Sequence, residues 1–123
     1  MNISMWRKAL NVIPEVSKEE WDELDLVSRW LIASRAAVLV MTFISAALAG
    51  LFALRDGAFN FMPWLALVLG LIFAHATNNF FNDFTDYALG VDKDNYFRNL
   101  YGPQPVERGL MTKSQHLLYT AVT

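Results

Sequence analysis

The chain has 123 residues, no cysteine and a formal net charge of −2. The missing cysteines exclude disulfide frameworks, thiol catalysis and Cys-held zinc. Nor does any basic patch interleave with aromatics, as a nucleic-acid groove requires, so no nucleic acid is expected as a partner.

Charge is absent from two long stretches. Residues 36–54 and 57–82 contain no Asp, Glu, Lys or Arg, although 18% of the chain is charged. Each reads as a membrane helix of about 30 Å or slightly more. So short a chain has too little other sequence to bury both in a soluble core. The predicted fold class is all-α, the N-terminal part of a multi-pass helical membrane bundle in one domain, with the lipid bilayer as a partner.

Residues 1–30 form a cytoplasmic or interfacial segment, too polar for a cleavable signal. In residues 1–16, Trp6-Arg7-Lys8 with Leu10, Val12 and Ile13 suits a membrane surface, and Pro14 limits any helix. Asn2-Ile3-Ser4 matches a glycosylation acceptor by chance. Ser17-Lys18-Glu19-Glu20 is a capping box, with Val16 and Trp21 placed as its hydrophobic staple, so a helix should start at Lys18. Trp21, Leu24, Val27, Trp30 and Leu31 keep helical spacing while Glu20, Asp22, Glu23 and Asp25 face elsewhere. That pattern predicts one interfacial helix with Trp21 and Trp30 at headgroup level, an ordinary soluble amphipathic helix being the alternative.

The first membrane helix is expected over residues 31–54. Arg35 lies one turn inside its start, where its stem can snorkel to the interface. Ser45, Ala46, Ala49 and Gly50 make a small-residue face for close helix packing. Arg55-Asp56-Gly57-Ala58 is a short loop. The second membrane helix covers residues 61–87, with Pro63 in its first turn and Trp64 as an interface anchor. A Gly- and Pro-marked loop follows over 88–111. Thr112-Lys113-Ser114-Gln115 is a second capping box, opening residues 112–123 as the start of a third membrane helix. Five basic residues precede or enter the first helix, one (Arg55) lies between the helices, and four follow. The positive-inside rule then puts the N-terminus and the end of the second helix on the cytoplasmic side of the cell (inner) membrane.

That end carries the chemistry. A continuing helix places Asn79, Asn82, Asp83 and Asp86 within an arc of roughly 100°, with His75 in the same arc. Paired carboxylates at the mouth of an apolar helix repel each other and resist desolvation. Hard oxygen donors without a His cluster favour a cation such as Mg²⁺. A solvated helix end that happens to carry acids is the plainer alternative. His75 is weighed as a histidine satisfied between helices against a catalytic one, and His116 has no evident partner. Asp92-Lys93-Asp94-Asn95 fails as a calcium loop, because Phe97 stands where glycine is required.

Asn79-x-x-Asn82-Asp83-x-x-Asp86, followed by Gly90-x-Asp92, resembles the first aspartate-rich motif of the UbiA superfamily of intramembrane prenyltransferases. Gly90-Val91-Asp92 with Arg108-Gly109-Leu110-Met111-Thr112 is most similar to its 1,4-dihydroxy-2-naphthoate polyprenyltransferase branch, which serves menaquinone biosynthesis. The resemblance spans roughly Arg35 to Gln115. It implies a Mg²⁺-dependent transferase acting on a polyprenyl diphosphate and an aromatic acceptor. Asp83 and Asp86 would be catalytic metal ligands, Asn79 and Asn82 would ligate or hold the diphosphate, and Asp92 would serve a second metal or order the loop. Arg98, Arg108 and Lys113 would balance leaving-group charge, membrane anchoring being their other reading. Phe80, Phe81, Phe84, Tyr87, Tyr96 and Phe97 could line the path of an allylic cation or simply pack. The family often has Arg-Pro where this chain has Arg35-Ala36, and its second aspartate motif is missing, so a longer protein is expected, with these residues alone inactive. An ion- or proton-coupled transporter segment or a non-catalytic membrane subunit are the alternatives.

Overall fold

Among the described helices, four open on a side chain that caps them. The computed structural model describes residues 2–91 and 102–123. Asn2 accepts the Met5 amide and opens α1 (Ile3–Asn11), which ends before Pro14. Ser17 and Glu20 form the expected reciprocal box at α2 (Lys18–Glu23), and Val16 packs on the cluster that contains Trp21. The single helix expected beyond Lys18 is in fact two. Leu24 is extended, and Asp25 accepts the Ser28 amide to open α3 (Leu26–Ala33). An Asp carboxylate that can bond a nearby backbone amide favours a cap over a helix interior, and here that preference outweighs the continuous apolar spacing.

Asp25 also clasps α1 to α3. It accepts the Asn2 amide at 2.6 Å and the Trp6 indole N–H at 3.1 Å. The Ser28 amide first, then the Trp6 and Asn2 donors, pull its pKa from 3.8 down to about 2. A depressed folded pKa means the contribution is present at neutral pH and fades as pH falls from about 4 through about 2. The Trp6 indole N–H resonance should titrate in that acid window, and Asp25→Asn should abolish the titration. A resonance unmoved by acid in the parent protein would show that the clasp does not form.

α4 (Ala36–Arg55) and α5 (Phe61–Ala88) are each long and apolar enough to cross a membrane. Their most apolar 18-residue windows are only 17% and 11% buried, unlike a core helix of a soluble protein. Met41, Leu51, Phe52 and Met62 are each more than half exposed. α4 is about 30 Å long and α5 about 42 Å, so roughly the last two turns of α5 extend past a hydrocarbon layer of about 30 Å. Between them, Gly57 takes φ 69° and Arg55 Nε lies 2.8 Å from Asp56 Oδ1 on the exposed loop.

α4 and α5 pack on small residues and one tryptophan. The tryptophan is Trp64. Its indole N–H donates to Ala46 O at 2.9 Å, and its ring lies so close to Gly50 that a Cβ there would sit 2.5 Å from Nε1. Of the expected small-residue face, Ala46 and Gly50 are buried while Ser45 and Ala49 are exposed. Further along, His75 Nδ1 and Thr42 Oγ1 are bonded at 2.6 Å across the pair. Gly50→Ala should lower stability in detergent by about 1–3 kcal/mol through overpacking. Adding Trp64→Leu should recover much of that loss; no recovery would place the strain elsewhere.

The remaining elements form a headpiece at the polar end of α5. Trp21, Leu24, Ile32, Ala33, Ala9, Phe80, Leu110 and Met111 make one buried cluster. It joins α1, α2, α3, α5 and the turn before α6 (Lys113–Val122), which opens with the expected Thr112–Gln115 box. Trp21 is therefore a core residue, not a headgroup-level one; only 2% of it is exposed. Trp30 is half-buried, set edge-on to Phe73 at 6.1 Å and donating to Thr123 Oγ1 at 2.9 Å. Burying such large rings against partners gains more than leaving them at a surface.

Candidate functional site

The expected first membrane helix, residues 31–54, is broken at Ser34–Arg35. Arg35 is left-handed (φ 57°, ψ 52°), and α4 starts after it. A non-glycine residue in that region costs about 1–2 kcal/mol, so neighbouring contacts must hold it. Two come from α5. Asn79 donates from Nδ2 to Ser34 O at 2.8 Å, and the Arg35 guanidinium forms an ion pair and hydrogen bond with Asp83 Oδ1. Arg35 therefore does not snorkel to solvent; it turns inward to a carboxylate whose side chain is 2% exposed. A buried carboxylate needs such a counter-charge, because desolvation alone would disfavour its ionised form.

The polar ladder divides between two environments. Asn79 and Asp83 are buried, Asp86 is half-buried one turn further on, and Asn82 is exposed. Sharing one arc was not enough for Asn82. The buried stripe runs through Ala76, Asn79, Phe80 and Asp83, and Asn82 is displaced about 100° from Asp83 on its outer side. Lys113 approaches the same end, its ammonium 4.8 Å from the centre of the Tyr87 ring. Arg108 is exposed on the turn, and no ion pair joins it to either carboxylate among the described residues. Asp92 and Arg98, with Tyr96 and Phe97, lie outside the described residues.

The aromatic residues separate in the same way. Phe80 is fully buried, edge-on to His116 at 5.4 Å and to Tyr119 at 6.3 Å. Phe84 stacks on His116 at 6.2 Å, whereas Phe81 is 55% exposed. His116 is thus a core residue between two phenylalanines. Its only advance signal was its place on the inner face of a short capped helix. His75, bonded to Thr42, sits as a histidine held between helices.

No group of three or more His, Cys, Asp or Glu side chains converges among the described residues. Asp83 and Asp86 nevertheless offer hard oxygen donors one turn apart. Mg²⁺ commonly takes one or two carboxylates and completes its shell with phosphate oxygens and water. Asp83 already holds one positive group, the Arg35 guanidinium, so the donor pair fits a cation supplied together with a phosphate ligand. Arg35 belongs to this cluster, although the sequence alone placed it at the membrane interface. The signal available was a lone charge just ahead of an apolar stretch, which by default has a partner on a neighbouring helix. No protein-family model, curated protein or solved structure matches the chain.

Proposed function

We propose that the polar end of α5 binds a polyprenyl diphosphate with Mg²⁺, and that the protein serves transfer of the prenyl group to an aromatic acceptor of the quinone or menaquinone type. The resemblance to the UbiA superfamily motivates this reading. One observation carries it: Arg35 pairs with Asp83, and Asp86 follows one helical turn on, where a helix of membrane-crossing length becomes polar. A guanidinium and two carboxylates there provide for an anionic head group and its cation, beside an apolar surface for the chain.

In this reading Asp83 and Asp86 would hold Mg²⁺, which neutralises diphosphate charge and eases departure of the leaving group. Arg35 and Lys113 offer charge-assisted hydrogen bonds to diphosphate oxygens. Asn79 positions Arg35 by fixing the Ser34 carbonyl. Tyr87, with Lys113 over its ring, and Phe84, stacked on His116, lie at the same end of α5. The helices form part of a multi-pass bundle, and positive charge keeps the N-terminus and this site on the cytoplasmic side of the cell membrane.

The test is binding of a non-reactive farnesyl diphosphate analogue to the protein in lipid nanodiscs. Binding should need Mg²⁺, disappear with EDTA and be competed by inorganic pyrophosphate. Binding indifferent to EDTA, or none at all, would overturn the reading, and a Mg²⁺-independent ion flux would favour a transport role instead.

A further inference from the structure

A buried carboxylate paired with a guanidinium is ordinarily a structural device, yet two features at Arg35 fit exchange better than permanence. First, Arg35 reaches Asp83 only from a left-handed backbone, at φ 57°. Residues held in such conformations cluster at switching and ligand-clamping sites. Secondly, the guanidinium is not used up. Its Nε is buried without a hydrogen-bond partner among the described residues, while its side chain keeps 22% of its surface exposed. A planar fork with spare N–H donors suits bidentate contact with phosphate oxygens.

We infer that Arg35 is a charge placeholder, holding Asp83 while the site is empty and passing to the diphosphate when it arrives, so that metal and diphosphate bind cooperatively through this one side chain. The inference rests on the diphosphate reading above. Its electrostatics are simple. A divalent cation approaching Asp83 alone meets the guanidinium already there and is repelled. A diphosphate would attract the guanidinium away and leave Asp83 Oδ1 available to a cation. The coupling is reciprocal, as any binding linkage must be. Asp86, half-buried one turn along, is positioned to complete the metal's protein donors.

Two titrations on the protein in nanodiscs test this: Mn²⁺ alone, followed by loss of the free-ion EPR signal, and the Mn²⁺–pyrophosphate complex. Arg35→Gly is the informative variant, because glycine accepts the positive φ without strain. It should bind Mn²⁺ alone about tenfold more tightly than the parent and the Mn²⁺–pyrophosphate complex about tenfold more weakly, an ordinary size for site coupling. In Arg35→Gly/Asp83→Asn the gain for Mn²⁺ alone should vanish. A merely structural Arg35 would lower both affinities or neither, and that result overturns the placeholder role while leaving the diphosphate reading intact. A parent protein that binds no Mn²⁺–pyrophosphate overturns both. Should Arg35→Gly fail to fold, the ¹⁵N resonances of the parent Arg35 guanidinium decide: Mg²⁺–pyrophosphate should shift them and Mg²⁺ alone should not, and equal shifts or none refute the exchange.

Discussion

Asp83→Asn should both abolish Mg²⁺-dependent binding of a prenyl diphosphate analogue and destabilise the protein, whereas Asp86→Asn should abolish binding at little cost in stability. The difference follows from burial. Asp83 is the buried partner of Arg35, and removing one member of a buried pair leaves the other charge uncompensated, at a cost of about 3 kcal/mol. Asp86 is half-buried, so an isosteric amide there should change stability by less than about 1 kcal/mol. Arg35→Gln combined with Asp83→Asn should be more stable than Asp83→Asn alone, since no charge is then stranded. Thermal unfolding in detergent and analogue binding in nanodiscs measure the two effects separately. Equal stability losses at the two aspartates would show that the ion pair contributes little; retained binding in both variants would make the ladder structural.

Phe80→Ala should be the most damaging apolar substitution in the headpiece, costing about 3–5 kcal/mol. Its ring is fully buried in the central cluster and supports α6 through His116 and Tyr119. Without it, α6 loses its main contact with α5 and should become sensitive to protease under conditions where the parent resists. Phe81→Ala, one residue along and 55% exposed, should stay within about 0.5 kcal/mol of the parent. Comparable losses in both variants would mean that the cluster around Phe80 is not the support of α6.

The two capping boxes were legible because each is complete within four consecutive residues, and the two apolar helices because uncharged length alone betrays them. Leu24–Asp25 was misread because apolar spacing and a local cap compete there, and spacing contains no information about which prevails. Asp83 and Asp86 could be singled out from the motif, but their unequal burial could not: it depends on how α5 rotates against α3 and the turn before α6. The Arg35–Asp83 pair spans 48 residues of sequence and requires the left-handed turn that brings the guanidinium round. No local pattern encodes it. Trp21 went astray for a related reason. Amphipathic rings suit a headgroup layer or a protein interior equally well, and only partners such as Leu110, distant in sequence, select the second.

The loop between α4 and α5 bears on how these two helices would enter a membrane. In the orientation proposed above, this is the segment that must be translocated, and its only ionised side chains are Arg55 and Asp56, already in contact at 2.8 Å. The pair carries no net charge across. In that orientation the other described charged side chains would stay on the side of synthesis, and Trp64 bonded to the Ala46 carbonyl ties the two helices close to that same loop. α4 and α5 can thus enter the bilayer together as a neutral-tipped hairpin, and reversing either loop charge should slow insertion more than it alters the finished fold.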